Sequence, residues 1–474
     1  MNCKLLKSLL FSSLFLGAFI TVEASENYES ISAEEIDSFH QSFQVDSKNR
    51  LAQRAVSKTG FQEVGIDLAR YAAIKRVFSH EAKERGQVTN QKSSGRCWIF
   101  AGLNVMSEPL VKEHNLENFE FSQNYLFFWD KLEKANYFLN EIIATRSEPL
   151  ENRNVEWLLQ HPIPDGGFWH LFANLVKKYG VVPKSAMPET FNSSQSDEMG
   201  DFLASKLREY ASVIRSKSER GESKEDLELA KKEMLGSVYK ILAIYLGEPP
   251  KAFDWSYKDK DGVAFFYDDL TPQQFVAEHV SFKVEDKICI LNAPQKSKPF
   301  GKNYVLKLSG NVVEGDQGAF LNLPIEKLTQ YTRSAIEDGE SVWFGCDVAK
   351  HLARKVEFDE EHFDVLDTQV LTHDLLFGTE CRLDKGSSLD YRQGELTHAM
   401  AFTAVNIKND QPDFWSVENS WGEKHACKGF LTMSQEWFED HVYQVIIDKK
   451  YLDPEDLALI DEEAVMLEPW DSIG

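Results

Sequence analysis

The spacing of apolar and polar positions divides the chain into a helix-patterned part and a strand-patterned part. Residues 30–85 are polar with a helical pattern, and Ser32 followed three positions later by Glu35 forms a capping-box signal. After a glycine- and serine-containing turn, WIFAGLNVMSEPLVKEH places Ile99, Leu103, Met106 and Leu110 on one helical face. The aromatic-rich stretch 120–145 also predicts helix. IPDGGFWHLFANLVKKYGVVPKSAMP predicts a glycine turn, a helix ending at Gly180 and an extended exit through Pro183. Residues 198–247 are charged and helical, with the turn of a helical hairpin at 218–223.

Beyond about residue 260 the period shortens. VEDKICILNAP, KNYVLKLSGNVV, SVWFGCDV, THAMAFTAVNI, DFWSVENSWG, GFLTM and YQVIID are short runs rich in β-branched and aromatic residues, separated by turn residues. They predict a mostly antiparallel sheet. Helices first and strands second give an α+β class. The chain ends in EPWDSIG without a final helix.

One apolar stretch fits neither pattern. Lys4 and Lys7 precede a mostly apolar run from Leu9 to Val22, and Val22-Glu23-Ala24 precedes Ser25. This predicts a secretory signal, residues 1–24, cleaved after Ala24. A retained membrane anchor is the competing reading, but the run is short and contains Ser12, Ser13 and Gly17. The mature protein is then expected to be exported, periplasmic or secreted, with no membrane association after cleavage.

Charge narrows the partners. The chain carries 76 acidic and 52 basic residues, a formal net charge of −24. That excludes sequence-independent nucleic-acid binding, which needs basic surface to displace counterions. Six cysteines are present: Cys3, Cys97, Cys289, Cys346, Cys381 and Cys427. Loss of the signal leaves an odd number, with no CxxC and no zinc-type cluster, so one reactive thiol is expected and no metal. One or two disulfides among the others stay open.

Cys97 opens an apolar helical run behind the polar turn NQKSSGR. A cysteine in that place is either a small core residue or a nucleophile. A nucleophile needs a lowered pKa, a proton acceptor, a group that orients the acceptor, and donors for the oxyanion. A helix N-terminus favours the thiolate. Gln91 and the Cys97 N–H are candidate oxyanion donors. Among twelve histidines, His398 differs by opening an apolar strand. Asn419 follows at the end of the next strand, where antiparallel pairing would bring its amide to the imidazole, with Trp421 covering the bond. His398 alone would more often be structural, and Asn419 alone a turn residue. Together they follow the chain order Gln, Cys, His, Asn.

NQKSSGRCWIF, THAMAF and VENSWGEKHACKGF resemble the bleomycin hydrolase and bacterial aminopeptidase C branch of the papain-like cysteine peptidases. So do DGGFWHLFANLVKKYGVVPKS, SVWFGCDV and the C-terminal PWD. The resemblance runs from about residue 40 to the end. It implies a papain-like fold over 25–474, with a helical lobe, an antiparallel β lobe and an inserted helical lobe near 198–250. It assigns Cys97 as nucleophile, His398 as general base and acid, Asn419 as its orienter and Gln91 to the oxyanion hole. Gly166 and Gly167 match a glycine pair whose backbone would bind extended substrate; a helix-leading turn is the plainer reading. No cofactor is implied. Peptide substrates and a homo-oligomer, a hexamer, are.

Two departures stand out. Ser94 occupies the place of a cysteine three residues before the nucleophile in papain, so that disulfide is absent. The branch also runs its C-terminal arm, here about 462–474, into the active-site cleft, where the terminal carboxylate meets the substrate amine. In this chain Gly474 is already the terminus. At roughly 3.3–3.6 Å per residue, an arm three residues short would withdraw its carboxylate by about 10 Å. Aminopeptidase action is expected. Endopeptidase or dipeptide-releasing action is the alternative, and a non-catalytic oligomeric scaffold is a third reading.

Overall fold

The computed structural model describes residues 29–82, 86–354, 363–379 and 382–474. The expected signal peptide, Cys3 and Cys381 lie outside them. The described chain forms two compact units that meet in sequence at Gly60–Phe61.

The first unit contains the helices Ala33–Val45 and Ser47–Thr59. Ser32 Oγ accepts the Glu35 N–H, and the Glu35 carboxylate accepts the Ser32 N–H. The expected capping box is therefore formed. Asp46 caps the second helix, which ends where Gly60 takes φ 86°.

In the second unit, helices Cys97–Glu113, Gln123–Ala144, Trp169–Tyr179, Asp197–Glu219 and Lys224–Leu246 form a helical layer. The last two are the charged hairpin, and both pack on Gln123–Ala144. Ile99, Leu103, Met106 and Leu110 are all buried, as their spacing requires. Each fully buried side chain of this size contributes roughly 1.5–3 kcal/mol.

The sheet has twelve strands among the described residues. At its centre, His398–Lys408 lies antiparallel between Val342–Cys346 and Gln411–Glu418. Three pairings are parallel: Lys287–Leu291 with Phe320–Asn322, Lys302–Leu306 with Val465–Leu467, and Phe430–Ser434 with Val365–Leu366. Both faces are covered. Trp343, Ala399 and Ala401 join the core beneath the helical layer, while Phe344, Met400 and Phe402 join a second core. That second core includes Leu328, Ile336, Trp437 and Phe438 from helices Ile325–Glu337 and Gln435–His441. This is the expected α+β architecture.

Two segments depart from the sequence reading. Residues 74–82 are not helical: His80–Glu81 adds to the edge of His398–Lys408, and the Ala82 N–H reaches Thr403 O. Long-range pairing there overrides local helical preference. A hairpin, Phe253–Lys258 with Ala264–Leu270, begins before the expected change of pattern and stands apart from the main sheet.

Candidate active site

Cys97 is the first residue of its helix, with Arg96 at the cap. Arg96 is fully buried. Its guanidinium holds both oxygens of Glu189, at 3.1 and 2.8 Å, and donates from Nε to Ser94 Oγ at 2.9 Å. Ser94 Oγ in turn donates to Gln91 O at 2.6 Å. Hydrogen bonds from Ser94 thus tie the loop where papain has its disulfide. Cys97, Cys289 and Cys346 are free thiols.

The antiparallel pair Ala401↔Glu418 sets the two strands so that His398 and Asn419 meet. His398 Nε2 lies 2.9 Å from Asn419 Oδ1. The Ser420 N–H also donates to that oxygen, at 2.8 Å. A donor already pointing at this end of the amide identifies it as oxygen, so Nε2 must carry the proton. Nδ1 is left as the basic nitrogen of the ring. Trp421 stacks on the imidazole, with centroids 5.3 Å apart at 29°.

Ser420 extends the chain of bonds. Its Oγ donates to Gln91 Oε1 at 2.6 Å, and the Gln91 N–H reaches Ser420 O at 2.8 Å. Gln91 Nε2 donates to Ser94 O at 2.7 Å. The four candidate residues therefore belong to one assembly: the Gln91–Cys97 loop is stitched to the loop carrying Asn419. Ser420 escaped the sequence reading, although it directly follows Asn419.

Charge behaves differently from the sequence expectation. Burial pushes the Cys97 thiol up, against the Ala399, Trp98 and Cys97 N–H groups that would favour a thiolate; Asp165 adds to the upward push. Burial brings His398 down to about 4, opposed by its bond to Asn419 and reinforced by Arg354. At neutral pH each group taken alone is uncharged. Proton transfer between them creates a mutually compensating ion pair, which a buried site tolerates better than a lone charge.

Beneath the site lies a charged network that sequence reading missed. Lys131 pairs with Asp165 at 2.5 Å, and Lys134 pairs with Asp130 at 2.8 Å. Burial opposes ionisation of Asp165, yet Lys131, Ser196 and the Gly95 N–H hold its carboxyl well below the usual range. Asp165 O also accepts the Trp98 indole N–H at 3.0 Å.

The glycine pair follows. Gly166 O accepts Lys134 Nζ at 2.7 Å, and both glycines line the same cavity as Cys97 and His398. A Cβ on Gly167 would lie 2.6 Å from Trp98 Cε2, whereas one on Gly166 meets nothing within 4 Å. Gly167→Ala is therefore expected to cost about 1–3 kcal/mol by overpacking, read as a lower denaturation midpoint. Gly166→Ala should leave the midpoint in place; equal losses would refute the assignment.

The cavity is about 480 Å³, with walls that include Phe138, Leu158, Phe168, Leu308 and Trp343. Gly474 lines it too. Gln91 is not part of the lining. Among the described residues, no cluster of three or more His, Cys, Asp or Glu is placed to hold a metal, and no helix is long and apolar enough to cross a membrane.

A helix-borne cysteine facing a strand-borne His–Asn pair across a cleft defines a papain-like thiol peptidase. Residues 30–474 match the Peptidase C1-like family, and the chain belongs to it. It is 39% identical over 457 residues to bleomycin hydrolase of Rattus norvegicus, covering 94% of this chain and 99% of that one. It is 40% identical over 446 residues to aminopeptidase C of Listeria innocua, covering 94% and 98%. The crystal structure of PepW from Lactobacillus rhamnosis superposes with a TM-score of 0.89 at 40% identity, covering 94% of this chain and 98% of that one.

Proposed function

We propose that the protein is a cysteine aminopeptidase that removes N-terminal residues from peptides. The observation that carries this reading is the shared cavity: Cys97, His398 and Gly474 all line it. The Gly474 carboxylate is a fixed anion for a substrate ammonium, and the arm's bulk excludes longer N-terminal extensions. Cys97 attacks the scissile carbonyl and forms a thioester. The Cys97 N–H and the second hydrogen of Gln91 Nε2, the one not donated to Ser94 O, receive the oxyanion. His398, oriented by Asn419, protonates the leaving amine and then activates the water that releases the acyl group. The glycine pair offers backbone to the substrate. Export behind a signal cleaved after Ala24 belongs to the same proposal, supported by the N-terminal pattern. So does a homohexamer, supported by the resemblance.

The test compares an amino-acid amide bearing a free amine with its N-acetylated twin. The free amine is expected to be cleaved at least tenfold faster in kcat/KM, the equivalent of about 1.4 kcal/mol for one charge contact. Equal rates would favour the endopeptidase alternative. Cleavage of neither substrate, nor of longer peptides, would favour the scaffold.

A further inference from the structure

We infer that Lys298 is a specificity-determining positioning residue: it latches the C-terminal arm through Asp471 and so sets where Gly474 ends. This rests on the aminopeptidase reading.

The arm leaves the sheet after Val465–Leu467 and turns, with the Asp471 N–H on Glu468 O and the Gly474 N–H on Asp471 O. Three residues before the terminus, Asp471 Oδ1 accepts Lys298 Nζ at 2.9 Å and the Ile473 N–H at 3.1 Å. Lys298 is only 4% exposed. Its ammonium also donates to Gln295 Oε1 at 2.9 Å, the same oxygen that receives Ser472 Oγ at 3.0 Å. Gln295 Nε2 is spent on Asp390 at 2.6 Å, which fixes the amide's orientation. One buried cation thus fixes both Asp471 and, through Gln295, Ser472.

The loop that carries Lys298 is itself held. Asn322 Nδ2 donates to Lys298 O at 2.8 Å and to Ala293 O at 3.0 Å. On the other side of the turn, the Arg153 guanidinium covers the Trp470 ring at 3.8 Å, and Arg392 donates to Trp470 O at 2.7 Å. These partly exposed contacts steady the tryptophan. The Lys298–Asp471 pair, with its lysine buried and its aspartate partly so, lies nearer the terminus, and loss of the aspartate leaves the buried ammonium without its counter-charge. Ile473 is buried, so its side chain anchors the peptide that ends at Gly474. None of these latch side chains touches the reacting atoms.

The experiment measures kcat and KM on the free-amine amide and its acetylated twin for the wild type, Lys298→Met and the milder Asp471→Asn. The KM and the ratio of free to blocked cleavage are read first, because inactive misfolded protein changes neither, and a denaturation midpoint is recorded for each variant. Expected for both variants are a KM for the free amine raised at least tenfold, a kcat within threefold, and cleavage of the acetylated substrate. The double variant should be no worse than the worse single. A wild type that discriminates while both variants keep its ratio of free to blocked cleavage would overturn the latch alone. A proportional loss of both activities would assign Lys298 a purely structural role and overturn it too. A wild type indifferent to acetylation would overturn the latch together with the aminopeptidase reading.

Discussion

Replacing Cys97 by serine is expected to lower kcat/KM on peptide amides by about 10⁴–10⁶-fold, the range seen when a member of a covalent catalytic set is removed. The change exchanges one atom, so the cavity and the helix start should persist. What changes is acidity. An alcohol is far more reluctant to lose its proton than a thiol, and its basic partner is an imidazole brought by burial down to about 4. Such a weak base suits a thiol that shares its proton within an ion pair, and it does not suit a serine. The measurement is steady-state kinetics beside a denaturation midpoint. An unchanged midpoint with activity lost assigns Cys97 to the chemistry. A serine variant within tenfold of wild type would return Cys97 to the role of a core residue.

Much of the fold and of the site was legible because the signals are local. The capping box at Ser32, the helical face Ile99–Leu103–Met106–Leu110 and the turn before Cys97 each lie within a few residues. The His398–Asn419 pair was legible for a related reason: successive strands joined by a tight turn pair antiparallel, so their register follows from spacing. Pairings across larger separations left no local trace. Nothing near Lys131 announces Asp165, and nothing near Lys298 announces Asp471. Residues 74–82 look helical by local pattern but extend because the sheet edge at Val405 offers hydrogen bonds. The thiol was misjudged through a competition of magnitudes. The helix N-terminus favours a thiolate by about 0.3–1 kcal/mol, less than the desolvation of a buried charge.

His398→Ala should cost nearly as much as losing Cys97, and the double variant should be no worse than either single, because the two act as one unit. The pH profile carries a sharper expectation. The competent enzyme holds one proton between thiol and imidazole. Acid adds a second proton to His398, and its lowered pKa places that limb at about 4. Alkali removes the shared proton, and the raised Cys97 pKa places that limb above the ordinary thiol value of 9.0. The free-enzyme profile of kcat/KM should therefore be a broad bell, flat through neutrality, whose two limbs belong to the pair rather than to either residue. Asn419→Ala removes a contact that favours the imidazolium, so it should move the acid limb lower still and reduce the plateau. A limb that moved upward, or that stayed in place while the plateau fell, would mean that Asn419 does not stabilise the charged ring. The His398–Asn419 bond would then be left with orientation as its whole contribution, while the identity of the proton-sharing pair would still rest on the flat plateau.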